Sequence, residues 1–165
     1  MKKIYIVISY TGTSISKIIK MYTKHTYTHV SIALDRELEE LYSFARLYKY
    51  SVFPAGFVHE GIDVGTFKRF EETKAAVFSK EVTEQQYKKI QYVIKQMEKE
   101  KSKYKYNFLG LIAMPLGKKI ARENHFYCTE FVKYVLGKRR GRCFQAARTV
   151  KTARFCQLRK HGNDI

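Results

Sequence analysis

The chain contains no tryptophan, only two prolines and three cysteines, and lysine and arginine outnumber its acidic residues 32 to 15. Each shortage excludes something, except the missing tryptophan, which says little about function. Cys128, Cys143 and Cys156 are odd in number and form no C-x-x-C, so they are not a disulfide framework. Zinc-ligand spacing is also absent; Cys128, His125 and His59 match no familiar zinc pattern, and neither a metal nor any other cofactor is expected. No apolar run approaches the length of a membrane span. Met1-Lys2-Lys3 before Ile4-Tyr5-Ile6-Val7-Ile8 carries the charge of a signal peptide. Its apolar stretch is too short, and no small-residue cleavage site follows closely, so it reads as a first strand. Unpaired cysteines and no convincing signal peptide make the cytoplasm the expected location. There is no internal repeat, no low-complexity tract and no recognised nucleic-acid motif.

The scarcity of acid leaves a formal net charge of +17 on 165 residues. Such a field favours anionic partners: nucleic acid, anionic lipid or an acidic polymer. The charge is uneven, since nine basic residues and one acidic residue follow Gly137. Residues 1–137 read as one domain, long enough to bury a core without disulfide staples. Residues 138–165 read as a basic C-terminal tail, either a flexible arm for an anionic partner or an atypical end to the domain.

Within the domain, Lys3 to Ser9 is rich in β-branched and aromatic residues and predicts a buried strand. Ile15, Ile18, Ile19 and Tyr22 recur at helical spacing. Thr28 to Leu34 and Glu40 to Leu47 are strand candidates around an Asp35-Arg36 turn and predict a hairpin. Pro54 and Gly56 interrupt the pattern. Phe57 to Ile62 reads as a short strand or a loop, and Lys74 to Val82 as a strand. Thr83 with Gln86 three residues on is a capping box. Tyr87, Ile90, Ile94 and Met97 then define the buried face of a long helix. Tyr106 to Leu116 is apolar and helical until Pro115 and Gly117. Asn124 to Leu136 predicts a last helix, with Tyr127, Phe131, Tyr134 and Val135 on one side and Gly137 as its stop. The class is α+β, with a small antiparallel sheet packed against helices.

Cys128 falls in the first turn of that last helix, where unpaired N–H groups and the macrodipole favour an anion. The thiolate is the reactive form of cysteine, and a neighbouring imidazole favours it further. The competing reading is a buried structural thiol. His29, on the strand Tyr27-Thr28-His29-Val30-Ser31-Ile32, is the candidate base, held rigidly enough to face a cleft. His25, His125 and His161 are weaker candidates, and His59 is the chief competitor. A third polar group orients such an imidazole and fixes its tautomer. Ser43, on the next strand, is the natural candidate, with Glu60 as the alternative.

These parts, in this order, resemble the circularly permuted members of the NlpC-type, papain-like cysteine peptidase and amidase superfamily. The Tyr-x-His-Val-Ser-Ile strand comes first, then Tyr42-Ser43-Phe44, then a long helix. A Tyr-x-Tyr-Asn segment follows at Tyr104 to Asn107, and Tyr127-Cys128-Thr129-Glu130-Phe131-Val132 comes last. In unpermuted relatives the cysteine helix precedes the histidine strand. The resemblance spans roughly residues 1–137 and rests on order and spacing, because each motif is short. It implies a papain-like fold, with Cys128 as nucleophile and His29 as base acting on an amide or acyl bond. Ser43 takes the third position, where relatives more often carry Glu, His, Asn or Gln. Tyr106 falls near a tyrosine that assists the oxyanion in some relatives. Glu130 matches a family position and is expected to serve local structure.

The leading expectation is therefore a cysteine hydrolase or acyltransferase working through a thioester. Its substrate would be a peptide, an isopeptide, or a lipid amide or ester. The second is a non-catalytic module on the same fold, holding an anionic partner through its basic surface.

Overall fold

The computed structural model describes residues 1–10, 20–21, 26–46, 55–61, 74–137 and 153–157. The helix expected from Ile15 to Tyr22 falls outside these residues except for Lys20 and Met21, and so do His25, Cys143 and His161.

The fold is α+β. Strands β1 (Lys2–Tyr10), β2 (His29–Ala33), β3 (Leu41–Arg46), β4 (Ala55–Glu60) and β5 (Lys74–Val82) are followed by helix α1 (Glu84–Lys99). Then come β6 (Lys105–Tyr106), α2 (Phe108–Ala113), β7 (His125–Phe126), α3 (Cys128–Val135) and β8 (Ala153–Gln157). The eight strands form one mixed sheet in the order β7-β6-β4-β3-β2-β1-β5-β8. Every neighbouring pair is antiparallel except β6–β7.

Period-2 alternation divides the strand residues between two faces. Ile4, Ile6, Val30, Ile32, Tyr42, Phe44 and Phe57 meet the helices in the main core. Val7, Ala33, Leu41 and Ala75 form a smaller cluster on the other face with Leu38. The expected hairpin is present, with Ile32 opposite Tyr42 and Ala33 opposite Leu41. The ambiguous stretch after Gly56 is a strand, paired along its length with β3.

Helix α1 starts as its sequence dictates. Thr83 Oγ1 accepts the Gln86 N–H at 3.1 Å, and Gln86 Oε1 accepts the Thr83 N–H at 2.9 Å. Ile90, Ile94 and Met97 are buried, and the Tyr87 hydroxyl donates to the Leu34 carbonyl at 3.1 Å.

Helix α3 begins later than the sequence suggests. Asn124, expected at its opening, adopts a left-handed φ of 53° and turns the chain into β7, a conformation asparagine tolerates better than most residues. The inward side of α3 is Cys128, Phe131, Val132 and Val135. Tyr134, expected there, is 46% exposed and rests against Phe126. Gly137 ends the helix with φ 66°, its N–H donating to the Tyr134 carbonyl at 2.9 Å. Phe44 is the hub beneath α3, with ring centroids 5.3 Å from Phe131, 5.5 Å from Phe126 and 6.1 Å from Phe57. Burial of each such ring contributes on the order of 1.5–3 kcal/mol.

The basic tail, for which the sequence left open a flexible arm or an atypical end to the domain, contributes β8. Ala153–Gln157 pairs antiparallel with β5, from Phe78 opposite Ala153 to Lys74 opposite Gln157. Without it, the backbone groups along that side of β5 would form an open sheet edge. Among the described residues, no helix is long and apolar enough to cross a membrane.

Candidate active site

His29 is the first residue of β2, opposite Ser9 on β1, and its side chain is 14% exposed. Along a strand the residue two positions on shares the same face, which here is Ser31. Ser31 Oγ lies 3.3 Å from His29 Nε2 and donates at 3.2 Å to Glu60 Oε2. Glu60 ends β4 and is fully buried. Its Oε2 is 3.8 Å from His29 Nε2, an ion-pair distance too long for a direct hydrogen bond. The connection therefore runs from Nε2–H to the serine oxygen, and from the serine hydroxyl to the carboxylate.

Cys128 reaches the same ring from the helical side. It is the first residue of α3 and 6% exposed. The first hydrogen bond of the helix runs from the Phe131 N–H to the Tyr127 carbonyl at 3.0 Å. The N–H groups of Cys128, Thr129 and Glu130 thus have no intrahelical acceptor, and Cys128 itself is the first residue of the helix. The His29 pKa is shaped first by burial, which lowers it. A hydrogen bond to Cys128 and the close Glu60 carboxylate, with the charges of both, outweigh burial and raise it to about 10. The imidazole is held as a cation between two groups able to carry negative charge.

The start of α3 is braced by Asn107, which is fully buried and caps α2. Its Oδ1 accepts the Gly110 N–H at 3.0 Å, and its Nδ2 donates to the Ile120 carbonyl at 2.8 Å and to Glu130 Oε2 at 3.4 Å. The same Glu130 oxygen accepts the Tyr127 N–H at 3.4 Å, which gives Glu130 a local structural role. The Asn107 N–H also donates to the Phe126 carbonyl at 3.0 Å. Only glycine fits at 110: a Cβ there would stand 2.8 Å from Asn107 Cγ and 3.0 Å from the Ile120 carbonyl oxygen. Gly110→Ala is expected to displace Asn107 and destabilise the fold by about 1–3 kcal/mol. A urea unfolding midpoint indistinguishable from wild type would contradict this.

Of the residues singled out in the sequence, Cys128 and His29 come together. Ser43 does not orient the imidazole: its Oγ is buried and has no hydrogen-bond partner among the described residues. The β2–β3 register continues to place Ser43 level with Ser31, two residues beyond His29. Glu60, with a longer side chain on the next strand, instead reaches the imidazole through Ser31. Tyr106 stands on β6 opposite Phe126, two residues before Cys128, with its ring 4.6 Å from Phe108. His59 is engaged elsewhere: it stacks on Tyr42 at 4.6 Å, and its Nδ1 is 3.6 Å from Glu98. His125 Nδ1 lies 2.6 Å from the Glu123 carbonyl oxygen. Ser31 and Asn107 were not singled out as site residues. The spacing of Ser31 from His29 was its visible signal, whereas the link from Asn107 to Glu130 is purely tertiary. Among the described residues, no group of three or more His, Cys, Asp or Glu could hold a metal ion. Comparison with family models, curated proteins and solved structures gives no match.

Proposed function

We propose that the protein is a cysteine hydrolase or acyltransferase in which Cys128 is the nucleophile, His29 the base and Glu60 the orienting carboxylate. We further propose that its fold is a circularly permuted papain-like domain. One observation carries the chemistry: a single imidazole sits between a helix-terminal thiol and a buried carboxylate. Nε2 faces Ser31 and, through it, Glu60, and in this proposal Nδ1 is the nitrogen that exchanges a proton with the sulfur.

In this proposal the reaction begins from an imidazolium–thiolate pair, with the Cys128 proton already resident on His29. The sulfur attacks the carbonyl carbon of an amide or ester, and the C–S bond forms as the carbonyl π electrons move to oxygen. The backbone N–H groups at the start of α3 stabilise that oxyanion, with the Tyr106 hydroxyl as the candidate second donor. Collapse of the intermediate breaks the bond to the leaving group, which takes the proton from His29. Water or an acceptor nucleophile, deprotonated by His29, then attacks the thioester, and the C–S bond breaks to regenerate the thiolate beside the imidazolium.

The test uses p-nitrophenyl esters of graded acyl length with intact-mass detection. The expected result is a hydroxylamine-labile adduct on Cys128, followed by turnover beyond one equivalent, with both absent in Cys128→Ala. An adduct that forms once and never turns over, in water or with added amines, would exclude catalysis.

A further inference from the structure

From Lys101 to Arg122 the chain carries six basic residues and no acidic one. The middle of this segment is built inside out. A surface helix buries its large apolar side chains and exposes its polar ones. Helix α2 instead buries Gly110 and Ala113 and exposes Leu109 and Ile112 at 52% and 68%. The 3₁₀ turn that follows, Met114–Leu116, adds Leu116 at 71%, and Ile120 is also exposed. Lys118, Lys119 and Arg122 are exposed alongside these apolar residues.

We propose that this face docks on an anionic membrane surface. Leu109, Ile112 and Leu116 would enter the headgroup boundary, while Lys118 and Lys119 would meet the lipid phosphates and carboxylates. Charge complementarity selects this occupant. An interfacial anchor combines apolar side chains that need a nonpolar phase with basic residues that need anionic headgroups. A nucleic acid satisfies the lysines and leaves Ile112 and Leu116 in water. A second copy of the chain satisfies the apolar residues and sets two lysine rims against each other, on a molecule whose net charge is already +17. The inference is independent of the chemistry at Cys128, and an inactive Cys128→Ala protein should dock equally well.

The test is cosedimentation of the full chain with vesicles of phosphatidylcholine, with and without phosphatidylserine. Wild type should bind the phosphatidylserine vesicles and bind pure phosphatidylcholine far more weakly. Ile112→Asp and Leu116→Asp should each reduce binding about tenfold or more. The double variant Lys118→Gln/Lys119→Gln should do so by a similar factor and weaken the salt sensitivity. These positions are exposed, so unchanged circular dichroism is expected and checks that loss of binding is not loss of fold. Four results would overturn the proposal. One is no vesicle binding by wild type. Another is aspartate variants that bind as wild type does, which would assign binding to charge elsewhere. A third is a preference for an RNA homopolymer that the aspartate variants retain. The last is self-association without vesicle binding that Ile112→Asp abolishes.

Discussion

Replacing His29 by alanine will remove the reactivity of the Cys128 sulfur on the acidic side of neutrality. The measurement is the iodoacetamide alkylation rate against pH, with Cys143 and Cys156 replaced by serine so that one thiol reports. A free thiol titrates near 8.5 and is almost wholly protonated at pH 6. Beside an imidazolium the thiolate persists to lower pH, because separating the charges costs more than the proton transfer returns. His29, raised to about 10 by Cys128 and Glu60 against the opposing effect of burial, is such an imidazolium throughout the neutral range. His29→Ala should therefore react at least about tenfold more slowly than wild type at pH 6. Because Cys128 is only 6% exposed, absolute rates will be modest, and the comparison between the two proteins carries the result. Identical pH profiles would make Cys128 a buried structural thiol and remove the proposed reaction.

Glu60→Gln should separate orientation from volume. The substitution keeps the size of a fully buried side chain and removes its charge. Ser31 retains an acceptor, so the fold should survive, but the carboxylate no longer supports the cation on His29. Two readouts should move together. The alkylation rate at pH 6 should fall about tenfold, and Ser31→Ala should reproduce part of that loss. Stability against pH should also change shape. A histidine whose pKa is 6.5 in the unfolded chain and about 10 in the folded one contributes stability that is complete below pH 6.5. That contribution is lost as pH rises toward 10. The wild-type urea midpoint should therefore decline across this window, and the decline should be shallower in Glu60→Gln. If both proteins gave parallel curves, Glu60 would not be what holds the charge on His29.

Legibility in the sequence followed the range of the interactions. Lys74 to Val82 and the Thr83–Gln86 box were readable because strand alternation and capping are local. Ile90, Ile94 and Met97 declared the buried face of α1 by spacing alone. The start of α3 was misplaced because β7 exists only through pairing with β6, more than fifteen residues away. The same pairing drew Tyr106 out of the expected helix, so that α2 begins at Phe108 behind its Asn107 cap. Glu60 ranked behind Ser43 in the sequence because a strand glutamate ordinarily reads as solvent-facing; only the tertiary fold buries it behind Ser31. In the tail, the arginine-rich composition hid the short strand Ala153–Gln157, whose pairing with β5 is again nonlocal.

The strand order has a consequence for how the chain reaches this state. Strand β1, which precedes both of its partners in the chain, lies inside the sheet, between β2 and β5. Its partner on one side is available within about thirty residues; on the other side, Lys2 pairs with Val82. Until β5 has been made, Ile4, Ile6 and Val7 form an apolar strand with one edge unsatisfied. Closing so long a loop costs entropy before any contact repays it, which slows folding and prolongs exposure of sticky intermediates. The molecule should thus be a slow folder for its size, and deletion of Lys2–Tyr10 should leave β2 and β5 each without one of its partner strands.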